Sequence, residues 1–196
     1  EPSALGNEPL VESWCQRLPS TLKKEHIDLL KHLMLDFTLP LVHFVRKKTK
    51  ELSMTVDNNL CCSHFRLLDC YLSEYIPTEA KTPSAEEIAK LLTHLTPLFF
   101  FTLVWSVGAT CDNKGRKLFS DHLWEVIGER GTKVGGEVEI PSGDFWYDYV
   151  YEMQGEREGS WTKWGDWAPK YSVPARSEYQ NIVVPTVDSV RLTYTF

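Results

Sequence analysis

The sequence predicts a mainly α-helical fold that passes into an irregular, aromatic-rich segment with short β stretches. Apolar residues recur at helical spacing through residues 8–130, and this period is lost after Gly128. Residues 131–180 hold most of the glycines and four of the tryptophans. With 196 residues, 42% hydrophobic and 24% charged, the chain can bury a sizeable core, which excludes wholesale disorder.

The first two helices are predicted from apolar spacing and from their boundaries. Apolar residues four apart indicate a short helix before Pro19, and Ser20-Thr21 can cap the next helix. That helix carries an apolar stripe over residues 22–48, in which Pro40 removes a backbone hydrogen bond and predicts a kink. The basic run 46–48 is expected to be a solvated helix end rather than a binding patch.

The next helix is predicted to begin at a cap formed by Asp57 or Asn58 and to end before Pro77. His64 lies on its apolar stripe. A histidine in such a position is more often a core or boundary residue with satisfied nitrogens than a ligand. The sequence therefore predicts a structural role for His64.

A fourth helix has a strong start signal, because a capping residue precedes acidic residues in segment 82–87. Pro97 predicts a second kink, and Gly108 is expected to break or bend the helix. Its apolar stretch, 98–109, is too short to span a bilayer, which needs roughly 20 residues. It is therefore predicted to be a buried helix.

The remaining elements are shorter. Residues 116–127 carry a last helical stripe, and 145–151 alternate as in a short strand. The charged, glycine-flanked stretch 155–159 is expected to form a hairpin tip or loop. Residues 181–184 fit a buried strand, and the chain from Ser189 fits either a helix or a second strand.

Composition and motifs exclude several function classes. A net charge of −6 argues against nucleic acid or an anionic membrane as the main partner. Five cysteines without a CxxC pair predict reduced, mostly buried thiols, and the histidine spacing predicts no metal site. The sequence also lacks a phosphate-binding glycine loop and a nucleophile motif. By residue chemistry alone, the chain is not expected to be a self-sufficient enzyme.

The two ends are expected to be cuts through a longer polypeptide. The N-terminus has no starting Met and lacks the basic-then-apolar pattern of a signal peptide. At the other end, Ile182-Val183-Val184-Pro185 indicates the beginning of a structured element shortly before the chain stops.

Four segments together resemble one family, the motor region of axonemal dynein heavy chains. They cover nearly the whole chain in the family's order: EPSALG followed by PLVESW, FVRK with DNNL and LLD, WSVGA with GR, and IVVPTVDSVR. The chain departs from the family at Asn7, where a Trp is usual, and it stops before the third module's phosphate loop. The resemblance is somewhat closer to inner-arm chains.

The resemblance implies a division of the chain within the AAA+ motor ring. Residues 1–20 would be the connector that leaves the second module's core, and 21–130 would be that module's helical lid bundle. Residues 131–196 would be the extended or β segment that begins the third module's α/β subdomain. The implied role is a non-catalytic lid and inter-module connector, which helps to close nucleotide sites and transmits conformational change round the ring.

The resemblance also implies which residues lie near nucleotide. Many AAA+ lids place a sensor Arg at the start of their third helix, where Asn58, Asn59 and Cys61 stand here. A Cys cannot supply the fixed cationic donors that phosphoryl transfer requires, so the second module's nucleotide is expected to be held rather than hydrolysed. The alternative is that the helix register differs and that another group serves as the sensor.

A second nucleotide-adjacent group is implied at the start of the third module. Val183, Val184, Pro185 and Thr186 resemble the segment that flanks the adenine of that module. An edge strand that packs on the core is an equally good interpretation. Arg191 could neutralise a phosphate or an acid, although a structural ion pair is the commoner arrangement.

The implied partners and location follow the parent protein. ATP or ADP with Mg would bind to the parent ring and not to this segment alone. The partners would be the rest of the ring, intermediate and light chains, and microtubules, in the cytoskeleton of the cilium or flagellum axoneme, and not nucleic acid or membrane. The alternative is a free-standing helical adaptor that binds a protein through the aromatic arm, 131–180.

Overall fold

The fold is mainly helical, as predicted. The computed structural model describes residues 6–136, 139–153, 157–168 and 186–195. The helices within these ranges are α1 (Glu8–Gln16), α2 (Lys24–Leu33), α3 (Leu39–Lys48), α4 (Asp57–Leu72), α5 (Ala85–Ser106), α6 (Asn113–Arg130), α7 (Trp164–Trp167) and α8 (Val187–Thr195). The strands β1 (Tyr149–Glu152) and β2 (Ser160–Lys163) form an antiparallel hairpin before α7.

A π turn at Met34–Thr38 joins α2 and α3 into one continuous helical run. Pro40, in the first turn of α3, has no amide hydrogen to donate to the carbonyl four residues earlier, at Asp36. The wider π turn contains Asp36, whose carbonyl is the one that Pro40 cannot bond. The interruption predicted at Pro40 therefore takes the form of a π turn.

The predicted cap of α2 is wrong. Lys23 occupies the cap position and makes no side-chain hydrogen bond to the helix. The hydroxyl of Thr21 instead donates to the backbone carbonyl of Tyr75. The Thr21 hydroxyl, which was expected to cap α2, therefore binds a carbonyl far away in the sequence instead.

The predicted cap of α4 is wrong for a similar reason. Val56 holds the cap position without a side-chain hydrogen bond, and Asp57 is the first helical residue. The Asp57 carboxylate accepts a hydrogen bond from Nε of Arg46 at 2.6 Å. This contact ties the start of α4 to the end of α3.

Helix α5 forms the centre of the core. It begins at a capping box, in which Ser84 Oγ accepts from the Glu87 amide and the Glu87 carboxylate accepts from the Ser84 amide. Its second half, around Pro97, is buried on all sides. The helical stretch Ala85–Thr110 is apolar and long enough to cross a membrane, but 83% of its most apolar window is buried within the protein. It is therefore a core helix, as predicted, and a short 3₁₀ turn at Gly108–Thr110 follows it.

The hairpin is shorter than predicted. A 3₁₀ turn at Trp146–Asp148 takes up part of the expected strand 145–151, and regular pairing begins with Tyr149 opposite Lys163. A turn at 157–159 links the strands, whereas residues 154–156 of the predicted hairpin tip lie outside the described residues. The predicted strand 181–184 also lies outside them. The chain from Val187 forms a helix.

The aromatic segment packs onto the chain's own helices. Trp161 is 4% exposed and lies 6.5 Å from Phe101 between ring centroids, and Trp164 is fully buried 5.8 Å from Trp105. Trp146 lies 5.7 Å from Phe100. These aromatics complete the core formed by α5 and α6 of the same chain. Within the described part of the aromatic arm, Trp146, Trp161 and Trp164 therefore offer no exposed surface of the kind that the adaptor alternative requires.

Candidate functional site

The first group of predicted site residues lies at the start of α4. Asn58 is half-buried and Asn59 is exposed, whereas Cys61 is fully buried. Burial raises the pKa of the Cys61 thiol to about 12, so the thiol stays protonated. Of these three residues, only the two asparagines reach a surface where a ligand could contact them.

Arg46 organises this edge, so the expectation that the run 46–48 is a solvated helix end is wrong for this residue. Its guanidinium donates to Asp57, to Thr55 Oγ1 at 2.9 Å and to the carboxylate of Glu51. Thr55 in turn donates to Glu51 at 2.7 Å. The sequence offers only a group of basic residues near two acids, a pattern that is too common to identify such a cluster. The result is a loop between α3 and α4 that is fixed from within.

Thr186, from the second group of predicted site residues, caps α8. Its Oγ1 accepts from the amide of Ser189 at 3.1 Å, and its own amide donates to Ser189 Oγ at 2.9 Å. Val183, Val184 and Pro185 lie outside the described residues. Among described residues, no hydrogen bond or ring contact joins Thr186 to Asn58 or Asn59.

Helix α8 is fixed to the preceding structure through Arg191. Its Nη2 donates to Asp148 at 2.9 Å, and its Nη1 lies 3.4 Å from Asp188 on the same helix. The Arg191 side chain is 21% exposed, so the pair with Asp148 is shielded more than a typical surface pair. The predicted structural ion pair of Arg191 is confirmed.

An aromatic contact supports the same junction. The ring of Tyr194 lies 5.0 Å from Trp167, 5.5 Å from Trp164 and 6.1 Å from Phe101. These edge-on contacts connect α8 with both α7 and the core helix α5. A cleft of ≈ 720 Å³ beside the junction is lined by residues that include Trp105, Arg116, Lys117, Tyr147, Asp188 and Arg191.

His64 has the structural role that was predicted. Its Nδ1 lies 3.0 Å from Thr38 Oγ1 and its Nε2 lies 3.1 Å from Thr102 Oγ1. Because Thr102 donates its own hydrogen to the carbonyl of Leu98, the network assigns the proton to Nε2. Complete burial lowers the pKa of His64 to about 3. The neutral ring therefore joins three helical segments inside the core.

A second buried histidine joins α5 to the hairpin. Nδ1 of His94 lies 2.7 Å from the hydroxyl of Tyr151, and its Nε2 lies 3.7 Å from Glu158. Burial lowers the pKa of His94, against the attraction of Glu158. The arrangement attaches the strand β1 to the core helix.

The cysteines and the potential metal ligands provide no further candidate site among the described residues. The five cysteines are free, and three of them are buried. In the described ranges, no group of three or more His, Cys, Asp or Glu side chains is placed to hold a metal ion.

Comparison with known proteins identifies the architecture. Residues 30–166 match the family model of the dynein heavy chain AAA lid domain. This match begins within α2 and ends in α7, so it includes both the helical bundle and the aromatic hairpin.

Similar proteins extend the match to almost the whole chain. Dynein axonemal heavy chain 1 is 34% identical in mouse and 33% identical in human, and dynein axonemal heavy chain 12 of mouse is 33% identical. Each alignment covers 99% of this chain but only 5% to 6% of the relative. The chain therefore spans about one twentieth of the length of these relatives. It belongs to the dynein heavy chain AAA lid domain family and is homologous to axonemal dynein heavy chains.

Proposed function

We propose that this chain is the lid of the second AAA+ module in an axonemal dynein heavy chain, together with the connector to the third module. The parent would be an ATP-driven microtubule motor of the cilium or flagellum axoneme. Its partners would be the rest of the ring, intermediate and light chains, and microtubules. The family match and the order of the four resembling segments support this assignment.

The observation that carries the proposal is the attachment of α8 to the lid body. Arg191 pairs with Asp148, and Tyr194 packs against Trp164 and Trp167. A movement of the lid helices would therefore move the segment that leads into the next module. This packing gives the connector a physical means of transmitting conformational change.

The chemistry of the lid supports holding rather than hydrolysis at the second module. At the proposed sensor position, Cys61 has no positive charge and its thiol is shielded from solvent. Asn58 and Asn59 would remain as neutral contacts to the nucleotide, and Val183–Thr186 would flank the adenine of the third module. ATP or ADP with Mg would bind in the parent ring, and this segment alone would catalyse nothing.

The proposed division of the chain keeps 1–20 as connector, 21–130 as helical lid and 131–196 as the start of the third module. The packing of residues 139–168 against α5 and α6 means that the last two parts share one core. The boundary at 130/131 therefore remains a prediction of where one AAA+ module ends and the next begins. The hydrophobic core continues across it.

The experiment that tests the proposal compares microtubule gliding by the complete heavy chain with and without the connector contacts. The double variant Arg191→Ala and Tyr194→Ala should slow ATP-driven gliding several-fold while nucleotide still binds to the ring. A control variant, Lys133→Ala, changes an exposed residue away from these contacts and should leave the velocity unchanged. Unchanged gliding by the double variant would contradict the connector role.

A further inference from the structure

A strip of exposed apolar side chains lies on the loop between α3 and α4. Leu52 is 71% exposed, Met54 is 95% exposed and Val56 is 60% exposed. These alternate residues are three of the seven large hydrophobic residues that are exposed in the described part of the chain. Such clustering in five residues differs from the scattered apolar exposure of an ordinary surface. We call these three residues the 52–56 strip.

The loop that bears the strip is held by the body of the protein. The Leu52 amide donates to the Thr110 carbonyl at 2.8 Å, and Glu51 forms a β-bridge with Cys111. At the other end of the loop, Thr55 is bound by Arg46. Because the backbone is already ordered, binding through the strip would require little additional loss of loop entropy.

Three lysines adjoin the strip. Lys47, Lys48 and Lys50 are exposed, and no salt bridge joins them to a described residue. Unlike these lysines, the nearby Arg46 forms salt bridges, with Glu51 and with Asp57. The surroundings of the strip are therefore locally positive in a chain whose net charge is −6.

We propose that the 52–56 strip and its three lysines form a docking surface for an acidic, apolar surface contributed by another segment of the same heavy chain. Apolar contact would bury the strip, and carboxylates of the partner would pair with the lysines at the rim. The remaining heavy chain is an available source, because this chain covers about one twentieth of its relatives. The inference goes beyond the proposed function and depends on it only for membership of a heavy chain.

Two other occupants are disfavoured by the same residues. In a symmetric dimer through this strip, the lysines of both copies would face each other and repel. An anionic membrane is usually held by a cluster of 4–8 basic residues. Lys47, Lys48 and Lys50 are fewer than that, and the strip has no aromatic anchor.

The test places a photo-reactive benzophenone amino acid at position 54 of the complete heavy chain and maps its adducts by mass spectrometry. The expected adduct lies outside residues 1–196, in a segment that combines acidic and apolar residues. The matched control carries the same group at Leu118, an exposed apolar residue on α6, and should not give this adduct. Adducts only within residues 1–196, only in a second copy or only in a non-acidic segment would overturn the proposal, as would the absence of adducts.

A second arm tests the charge. The triple variant Lys47→Glu, Lys48→Glu and Lys50→Glu should reduce the yield of the adduct at least several-fold, and an unchanged yield would overturn the proposal. Flotation of the 196-residue chain with phosphatidylserine vesicles should show no binding, and binding that the triple variant abolishes would assign the surface to membranes instead. Microtubule gliding tests the proposed function separately, so the two proposals can fail independently.

Discussion

Nη2 of Arg191, on the last helix, lies 2.9 Å from the carboxylate of Asp148, next to the first strand. The two residues are 43 positions apart in the sequence, and the contact fastens α8 to the structure around the aromatic hairpin. An ion pair with one partner half-exposed contributes on the order of 1 kcal/mol or less. Its main effect should therefore be local, on the opening of α8.

Replacing Arg191 should loosen α8 without unfolding the chain. In Arg191→Gln, which lacks the positive charge, the amides of α8 should exchange hydrogen several-fold faster, since local opening becomes easier. Hydrogen exchange with mass spectrometry measures this effect. Arg157→Gln, at an exposed residue, serves as the control. Equal protection of α8 in the variant and the unsubstituted chain would show that the pair does not hold the helix.

The buried histidine predicts a loss of stability in acid. The pKa of His64 is about 3 in the folded chain and about 6.5 when unfolded, so the unfolded state takes up the proton first as pH falls. Stability should decline below about pH 6.5, by about 2 kcal/mol between pH 7 and pH 5 from this residue. His94, whose pKa is also lowered, adds to the decline in the same direction.

Urea unfolding at neutral and acidic pH measures that decline. His64→Gln should be less stable at neutral pH but should show a smaller loss on acidification, because its amide does not titrate. The exposed His43 provides the matched control, and His43→Gln should retain the full pH dependence. An identical pH dependence in His64→Gln and in the unsubstituted chain would exclude His64 as its source.

Two glycines should respond to alanine with opposite signs. A Cβ at Gly108 would meet the Tyr147 hydroxyl oxygen and would lie 2.9 Å from Cε1 of Phe119. Gly108→Ala should therefore destabilise the fold by about 1–3 kcal/mol. At Gly128, on the exposed side of α6, a Cβ would meet nothing within 4 Å. Gly128→Ala should stabilise the fold by about 0.5–1 kcal/mol.

Chemical denaturation of both glycine variants measures the two changes. If Gly108→Ala proved as stable as the unsubstituted chain, the close approach of Tyr147 to the end of α5 would not be a tight contact. A loss of stability in Gly128→Ala would mean that α6 does not accept a side chain at that position.

Nucleotide binding provides a further test. We expect no tight binding of ATP with Mg to the 196-residue chain, since its sequence contains no phosphate loop. Isothermal titration calorimetry measures this directly. Submicromolar affinity would contradict the assignment of this segment as a lid that acts only within a larger ring.

The features predicted correctly depend on local chemistry. The capping box of Ser84 and Glu87 lies within four residues, and the buried length of α5 follows from its apolar composition. The features predicted wrongly depend on distant partners. Asp57 fits a helix cap by residue type, but Arg46 binds its carboxylate, and periodicity gives no information about such contacts.

The aromatic segment shows the same limit on a larger scale. Its tryptophans indicate packing, but residue type cannot show whether the surface they cover belongs to this chain or to another. Trp161 covers Phe101 of α5, at a separation of 60 residues. Of the predicted site residues, Asn58 and Asn59 lie on a surface. Cys61 is buried, which fits the expectation of mostly buried thiols but not a side chain beside a nucleotide.

The central claim is that the helical lid and the aromatic segment form one cooperative body that can transmit movement to α8. Urea unfolding of the 196-residue chain, followed both by tryptophan fluorescence and by far-ultraviolet circular dichroism, tests it directly. Four of the seven tryptophans lie in the aromatic segment, whereas the dichroism reports mainly the helices of the lid. We predict a single transition with the same midpoint for both signals. Two separated transitions, with fluorescence changing first, would contradict the account.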